Sequence, residues 1–186
     1  MRKVVSVLLV LAGAFLYSCS NNSGKLVEGN ELADNAIMQQ QDGTISLEVK
    51  MADTYHDIEN PESNTAEWNV VVSKSGRYDV WLSSATRDTT NLRYNNSVML
   101  SIKDDLLEAK PSIDKVVQNS VDVSYPYFRA DSFMGSLFIK DAGVYNIQVI
   151  SDKILPGGAT NNDPSESEWT KLLSVSLTPA DKTRSF

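Results

Sequence analysis

The 186-residue chain carries one cysteine and one histidine. A single cysteine excludes an intramolecular disulfide, and the lone His56 excludes a metal site built on two histidines of this chain. Basic charge is also scarce: 17 Lys and Arg face 24 Asp and Glu, for a formal net charge of -7. With no basic surface to release counterions from phosphates, the composition argues against nucleic acid as a partner. Catalytic signatures are missing too. No segment has the pattern of a phosphate-binding glycine loop, a Gly-x-Ser-x-Gly elbow or a zinc motif, and Gly157-Gly158 lacks the strand-to-helix context that phosphate binding needs. Nor is there an apolar run of the roughly 20 residues that a bilayer-spanning helix requires. What remains is ordinary globular composition, 41% hydrophobic and 22% charged, of a length that one domain accommodates.

The longest apolar run, Val4 to Leu16, follows the basic head Met1-Arg2-Lys3 and gives way to Tyr17-Ser18-Cys19-Ser20-Asn21-Asn22. This is the anatomy of an export signal rather than of a retained span. Leu16-Tyr17-Ser18-Cys19 resembles the lipobox of bacterial lipoproteins, although Tyr17 is bulkier than that family prefers. The resemblance implies cleavage after residue 18 and lipidation of Cys19, and Ser20 is compatible with sorting to the outer membrane. Each buried methylene contributes about 0.8 kcal/mol, so a multiply acylated cysteine holds a soluble domain on a membrane without a spanning helix. The expected organisation is a signal peptide at 1–18, a tether at 19–37, a β-sandwich at 38–180 and a tail at 181–186. Within the tether, Asn30 is placed to cap a short helix over Glu31 to Gln39.

From Thr44 the pattern turns to period two. Ile45, Leu47 and Val49 alternate with Ser46, Glu48 and Lys50, as in a half-buried strand. The alternation returns at Val70 and Val72, at Tyr78, Val80 and Leu82, at Val98, Leu100 and Ile102, at Leu137 and Ile139, at Tyr145, Ile147 and Val149, and at Leu173, Val175 and Leu177. Short strands separated by turn signals, with no long helical pattern, predict an all-β antiparallel sandwich. Lys74-Ser75-Gly76-Arg77-Tyr78-Asp79-Val80 also matches Asp141-Ala142-Gly143-Val144-Tyr145-Asn146-Ile147. The match predicts two equivalent hairpins, each with a positive-φ glycine and an inward tyrosine.

These pieces, in this order, are similar to the galactose-binding-like jelly rolls, particularly the family 6 and family 35 carbohydrate-binding modules and accessory domains of α-glucuronidases and fucosidases. The resemblance covers roughly residues 38–179. It rests on Gln41-Asp42-Gly43-Thr44-Ile45-Ser46-Leu47-Glu48, on Glu67-Trp68 leading into Gly76-Arg77-Tyr78, and on Leu172 to Pro179. It implies a jelly roll and, with the lipobox, a noncatalytic carbohydrate-binding lipoprotein. Some such modules hold a structural calcium ion on carboxylates near the first and last strands. Glu48 stands at one of those places, but Lys171 puts a cation at the other, so no cofactor is expected.

Sugars present C–H faces and hydroxyl edges, which aromatic rings and planar polar groups complement. If the two tyrosine rows point inward, Asp79, Trp81, Asn146 and Gln148 point the other way, which makes them the first candidate surface. Covering about 100 Å² of indole at about 25 cal/mol per Å² contributes roughly 2.5 kcal/mol, whereas a millimolar complex needs about 4.1 kcal/mol. Trp81 therefore requires polar helpers. The second candidate is the loop rim, with Arg87, Arg93, Tyr94, Tyr125, Tyr127 and Arg129, since arginine forks and tyrosine rings read hydroxyls and carboxylates. The acidic groups Asp53, Asp57, Glu59 and Glu62 around His56 read as a hydrated loop, and Asp163 to Glu168 as an exposed turn. The competing expectation for function is an assembly lipoprotein that docks another envelope protein through its sandwich. In either case the membrane is reached through the lipid anchor.

Overall fold

The period-two segments build eleven strands in a computed structural model that describes residues 35–156, 162–164 and 168–180. Cys19, the expected signal peptide, most of the expected tether and the expected tail lie outside the described residues. The strands are β1 (Ile37–Met38), β2 (Ile45–Glu48), β3 (Asp53–Tyr55), β4 (Thr65–Val72), β5 (Gly76–Thr86), β6 (Val98–Ile102), β7 (Asp105–Ala109), β8 (Lys115–Val117), β9 (Phe128–Ile139), β10 (Gly143–Ile150) and β11 (Thr170–Pro179). One sheet runs β1-β4-β10-β6-β7, with β3 also paired to β4, and the other runs β2-β11-β5-β9-β8. All pairs are antiparallel except β1 on β4. The chain is an all-β sandwich of the jelly-roll kind.

The predicted inward rows form its core. Ile45 and Leu47 of β2, Tyr78, Val80 and Leu82 of β5, and Tyr145, Ile147 and Val149 of β10 are all buried. On β4, Ala66, Trp68, Val70 and Val72 face inward while Thr65, Glu67, Asn69 and Val71 face outward, and the Trp68 indole N–H donates to Glu48 O at 3.0 Å across the two sheets. Each such large aliphatic contributes about 1.5–3 kcal/mol on burial, so a shift of one residue in any strand is strongly opposed.

Three expectations need correcting. The expected helix ends in strand: Ile37 and Met38 pair in parallel with Val70 and Val71, and the sheet supplies partners that two turns of isolated helix do not have. The expected inward row Leu173, Val175, Leu177 is interrupted by a bulge between Leu172 and Ser174. The extra residue brings Leu172 into the core beside Val175 and leaves Leu173 on the opposite side.

The matched Gly-x-Tyr segments are not hairpins. β4 and β10 belong to one sheet, and β5 and β9 to the other, so Ser73–Ser75 and Lys140–Ala142 are corners that carry the chain between sheets. In each, the tyrosine hydroxyl donates to a backbone carbonyl four residues upstream, Tyr78 to Lys74 and Tyr145 to Asp141. This is the tyrosine-corner device of β-sandwiches, and it explains why the two segments look alike. Only Gly76 has a positive φ, 155°; Gly143 does not. Packing demands glycine at two other places: Gly43, at φ 93°, would place a Cβ 2.7 Å from Pro179 Cγ, and Gly135, at φ 124° in the β9 bulge, 3.0 Å from Leu107 Cδ1.

Candidate functional site

The corners occupy one end of the sandwich. At the other end, where Thr65 pairs with Ile150 and Thr86 with both Phe128 and Thr170, the long connections form a rim. Here lies a cavity of about 500 Å³, lined among others by Ile58, Pro61, Leu155, Pro156 and Trp169 and by the polar groups of His56, Asn95, Asp152 and Lys153. That volume falls within the usual range for small-molecule sites. Trp169 keeps 46% of its surface exposed.

Local chemistry fixes the walls. Asn64, almost wholly buried, accepts from the Asp57 N–H and donates to Ile154 O, both at 2.8 Å, tying the 57–64 loop to the segment that follows β10. Asp57 accepts from the backbone N–H groups of Asn60 and Glu59, which holds its carboxyl below the usual range. Asp152 and Lys153 pair at 2.9 Å with little exposure. The Arg93 guanidinium lies 4.0 Å from the centroid of the Trp169 ring and 3.3 Å from Asp88. Donation from the Thr90 hydroxyl and N–H, with help from Asn91 and Arg93, lowers the Asp88 carboxyl to about 2. The stack on Trp169 is therefore anchored by a carboxylate that stays ionised.

A second depression, about 200 Å³, crosses the outer face of the five-stranded sheet. Its floor includes Ser46 of β2, Ser174 and Ser176 of β11 and Ser83 of β5, all at alternate positions opposite the core rows. One wall is the Lys50–Glu48 pair, 2.8 Å. The other is Arg129, which donates Nε to Asp131 at 2.8 Å and Nη1 to Asp122 at 2.9 Å, while Ser83 Oγ donates to Asp131 at 2.8 Å. Burial works to raise the Asp122 carboxyl, but the Arg129 and Ser120 hydrogen bonds outweigh it and the net shift is downward. Bonding to Asp131 raises Arg129 further above its ordinary value.

The structure divides the first candidate surface. Asp79 and Trp81 lie on the outer face of the five-stranded sheet, beside this trough: Ser176 sits opposite Trp81, whose half-buried ring packs on Phe133 with centroids 5.2 Å apart, and Asp79 accepts from Ser136 Oγ at 2.6 Å. Asn146 and Gln148 lie on the outer face of the other sheet, where Asn146 donates to Glu67. The alternation predicted which residues face outward but not which sheet carries them, and no single ligand bridges both faces.

The second candidate set separates as well. Arg93 and Arg129 border the rim cavity and the trough, respectively. Tyr94 is a core residue whose hydroxyl bonds Ser84 at 2.8 Å, and burial raises its phenol. Tyr127 is also buried: its hydroxyl donates to Pro164 O at 2.7 Å and accepts from Arg87 at 2.6 Å. Both tyrosines and Arg87 thus hold loops in place. Tyr125 is 91% exposed and borders neither depression. In the acidic loop around His56, Asp53, Glu59 and Glu62 are exposed, as a hydrated loop requires, while half-buried Asp57 is tied to Asn64. Among the described residues, no three His, Cys, Asp or Glu side chains are arranged to hold a metal ion, and Glu48 is engaged by Lys50.

No family model and no curated protein matches the chain. Solved structures do. Part of an α-L-fucosidase from Vibrio sp. strain EJY3 matches with a TM-score of 0.60 and 19% identity, over 78% of this chain and 24% of the fucosidase. The CBM36-1 domain of a multidomain xylanase from the hindgut metagenome of Trinervitermes trinervoides matches at 0.40 and 12%, over 74% of this chain and 98% of that domain. The Podospora anserina GH26-CBM35 β-(1,4)-mannanase matches at 0.45 and 13%, over 76% and 28%. The chain thus spans about a quarter of the length of the fucosidase and of the mannanase. The fucosidase likeness establishes a shared sandwich fold.

Proposed function

We propose that the chain is a noncatalytic carbohydrate-binding lipoprotein of the bacterial outer membrane, anchored through Cys19 and binding glycan at the rim cavity. The supporting observation is that cavity: a half-exposed indole at Trp169, aliphatic groups from Leu155 and the exposed Ile58, and polar groups from Asn95, Asp152 and Lys153 in one concavity. Such a mixture matches the C–H faces and hydroxyl edges of a sugar. A shared fold alone assigns no ligand, so the reading rests on the cavity chemistry. In this reading the rim replaces Trp81 as the first site, because Phe133 covers part of the Trp81 ring.

The test is retention of the purified protein in native gels that contain soluble polysaccharides, followed by calorimetry. Trp169→Ala is expected to abolish retention while the thermal midpoint stays near that of the unchanged protein, since the ring is half exposed. Unaltered retention in that variant sinks the rim site. Anchoring is tested separately: Cys19→Ala is expected to move the protein from the membrane fraction to the soluble one and to abolish incorporation of a radiolabelled fatty acid. If the variant still takes up label, Cys19 is not the acylated residue.

A further inference from the structure

Between the trough and the rim cavity lies a third depression of about 120 Å³. It shares Lys50 and Asn162 with the trough and His56 and Leu155 with the rim. The three depressions therefore adjoin in a row, from the serine floor of the sheet, past Lys171 at the sandwich edge, to Trp169. At the second junction the buried Nδ1 of His56 has no hydrogen-bond partner among the described residues. The trough adds the half-buried Ser174 and Ser176 on its floor.

Charge restricts what fits. In the trough, Lys50 is already paired with Glu48, and Arg129 is divided between Asp131 and Asp122. At the rim, Lys153 is paired with Asp152 and Arg93 with Asp88. An anionic chain would meet these carboxylates, and Lys171 in the middle depression already lies in the field of Glu168 and Asp163, in a protein of net negative charge. Sugar hydroxyls, which donate and accept, suit paired charges and serines equally well.

Resting on the glycan reading above, we propose that the three adjoining depressions act as one groove that binds an internal stretch of an uncharged linear polysaccharide. The trough and the middle depression are each smaller than a usual small-molecule site. Each adds affinity only when the ligand is long enough to reach it from the rim. Occupying linked subsites makes the later contacts intramolecular, so affinity rises with chain length.

The test is calorimetry on the full-length chain in detergent micelles, using cello-, xylo-, manno- and malto-oligosaccharides of one to six units, with polygalacturonate as the anionic probe. For at least one series, affinity is expected to rise tenfold or more from two units to six, with no binding of polygalacturonate. Ser176→Leu narrows the trough at a half-buried outward position and is expected to erase that gain, whereas Trp169→Ala removes binding at every length. Equal affinity for two and six units overturns the groove but leaves the rim site standing. Tight polygalacturonate binding overturns the restriction to uncharged chains. Absence of binding by every oligosaccharide, together with no retention by any neutral polymer, overturns the glycan reading and the groove with it.

Discussion

Removing one hydroxyl from each tyrosine corner should have unequal effects, because only the Tyr78 hydroxyl bonds to a third segment, whereas Lys103 meets Tyr145 over its ring. Tyr78 donates to Lys74 O and accepts from Gln39 Nε2 at 2.7 Å. Gln39 also donates to Gly43 O at 2.7 Å, and its carbonyl oxygen accepts from the backbone N–H groups of Ser73 and Lys74 at 2.9 and 2.8 Å. Tyr78 and Gln39 together therefore clamp the end of β1, the turn before β2 and the β4–β5 corner. Tyr145 has one corresponding bond, to Asp141 O at 2.7 Å. At about 1 kcal/mol net per bond, plus the cost of leaving a partly buried amide unpaired, Tyr78→Phe should cost about 2–3 kcal/mol and Tyr145→Phe about 1 kcal/mol. With a urea slope of about 2 kcal/mol/M, these losses move the unfolding midpoint by about 1–1.5 M and about 0.5 M. Both rings stay in the core as phenylalanine, so cavity effects cancel. A cycle with Gln39→Ala should show coupling of about 1 kcal/mol to Tyr78 and none to Tyr145. Equal midpoint shifts in the two variants would refute the clamp.

Gly135→Ala puts a methyl group 3.0 Å from Leu107 Cδ1 on a backbone with φ 124°; it should destabilise by about 2–3 kcal/mol, and adding Leu107→Ala should relieve none of the backbone part. Full recovery in that double variant, read from denaturation midpoints, would show that crowding alone matters. Asn64→Ala removes two buried bonds at the rim and should cost about 2–3 kcal/mol, with faster amide exchange at Asp57 and no change near the corners; unchanged exchange at Asp57 counts against the rim wall. For acid, the sign follows from Asp88, whose carboxyl is lowered from 3.8 to about 2 in the folded protein. Its contribution is fully present above the ordinary value and is lost as pH falls through the folded one. A carboxyl NMR titration should place its midpoint near 2, and a midpoint at the ordinary aspartate value would show that the Thr90 turn does not form.

The scaffold was legible because it is written in local alternation. Tyr78-x-Val80-x-Leu82 and Ala66-x-Trp68-x-Val70 specify which side chains point inward without reference to distant sequence. What alternation does not encode is the sheet to which a strand belongs. The outward residues Trp81 and Asn146 have the same sequence signature, yet they lie on opposite surfaces because the corner at residues 73–75 crosses the sandwich. The bulges escaped for a related reason: Leu172-Leu173 and Phe133-Met134 look like any apolar pair until the neighbouring strand sets the register. The loop tyrosines were misassigned because Tyr94 and Tyr127 hide their rings and spend their hydroxyls on Ser84 and Pro164. The serines at 46, 174 and 176 did carry a signal, since small polar residues at three outward positions leave a trough where larger side chains would fill it.

The two ends of the sandwich follow opposite rules, and this decides where a ligand can be held. At the corner end, the connections between β4 and β5 and between β9 and β10 are three residues each, and both are tied by a tyrosine to a carbonyl four residues back. Short, satisfied turns leave room for only a small depression, about 130 Å³ between Lys140-Asp141 and the β6–β7 turn. At the rim end, the connections after β5 and β10 are long, so their backbone groups need partners from side chains such as Asn64, Asp88 and Asp152. Those side chains hold the loops apart, and the gap between them is the Trp169 cavity. Rigidity at one end therefore permits elaboration at the other: changes at exposed rim positions such as Trp169, unlike those at the buried Asn64, should alter binding at little cost in stability, whereas changes at the corners should act on stability alone.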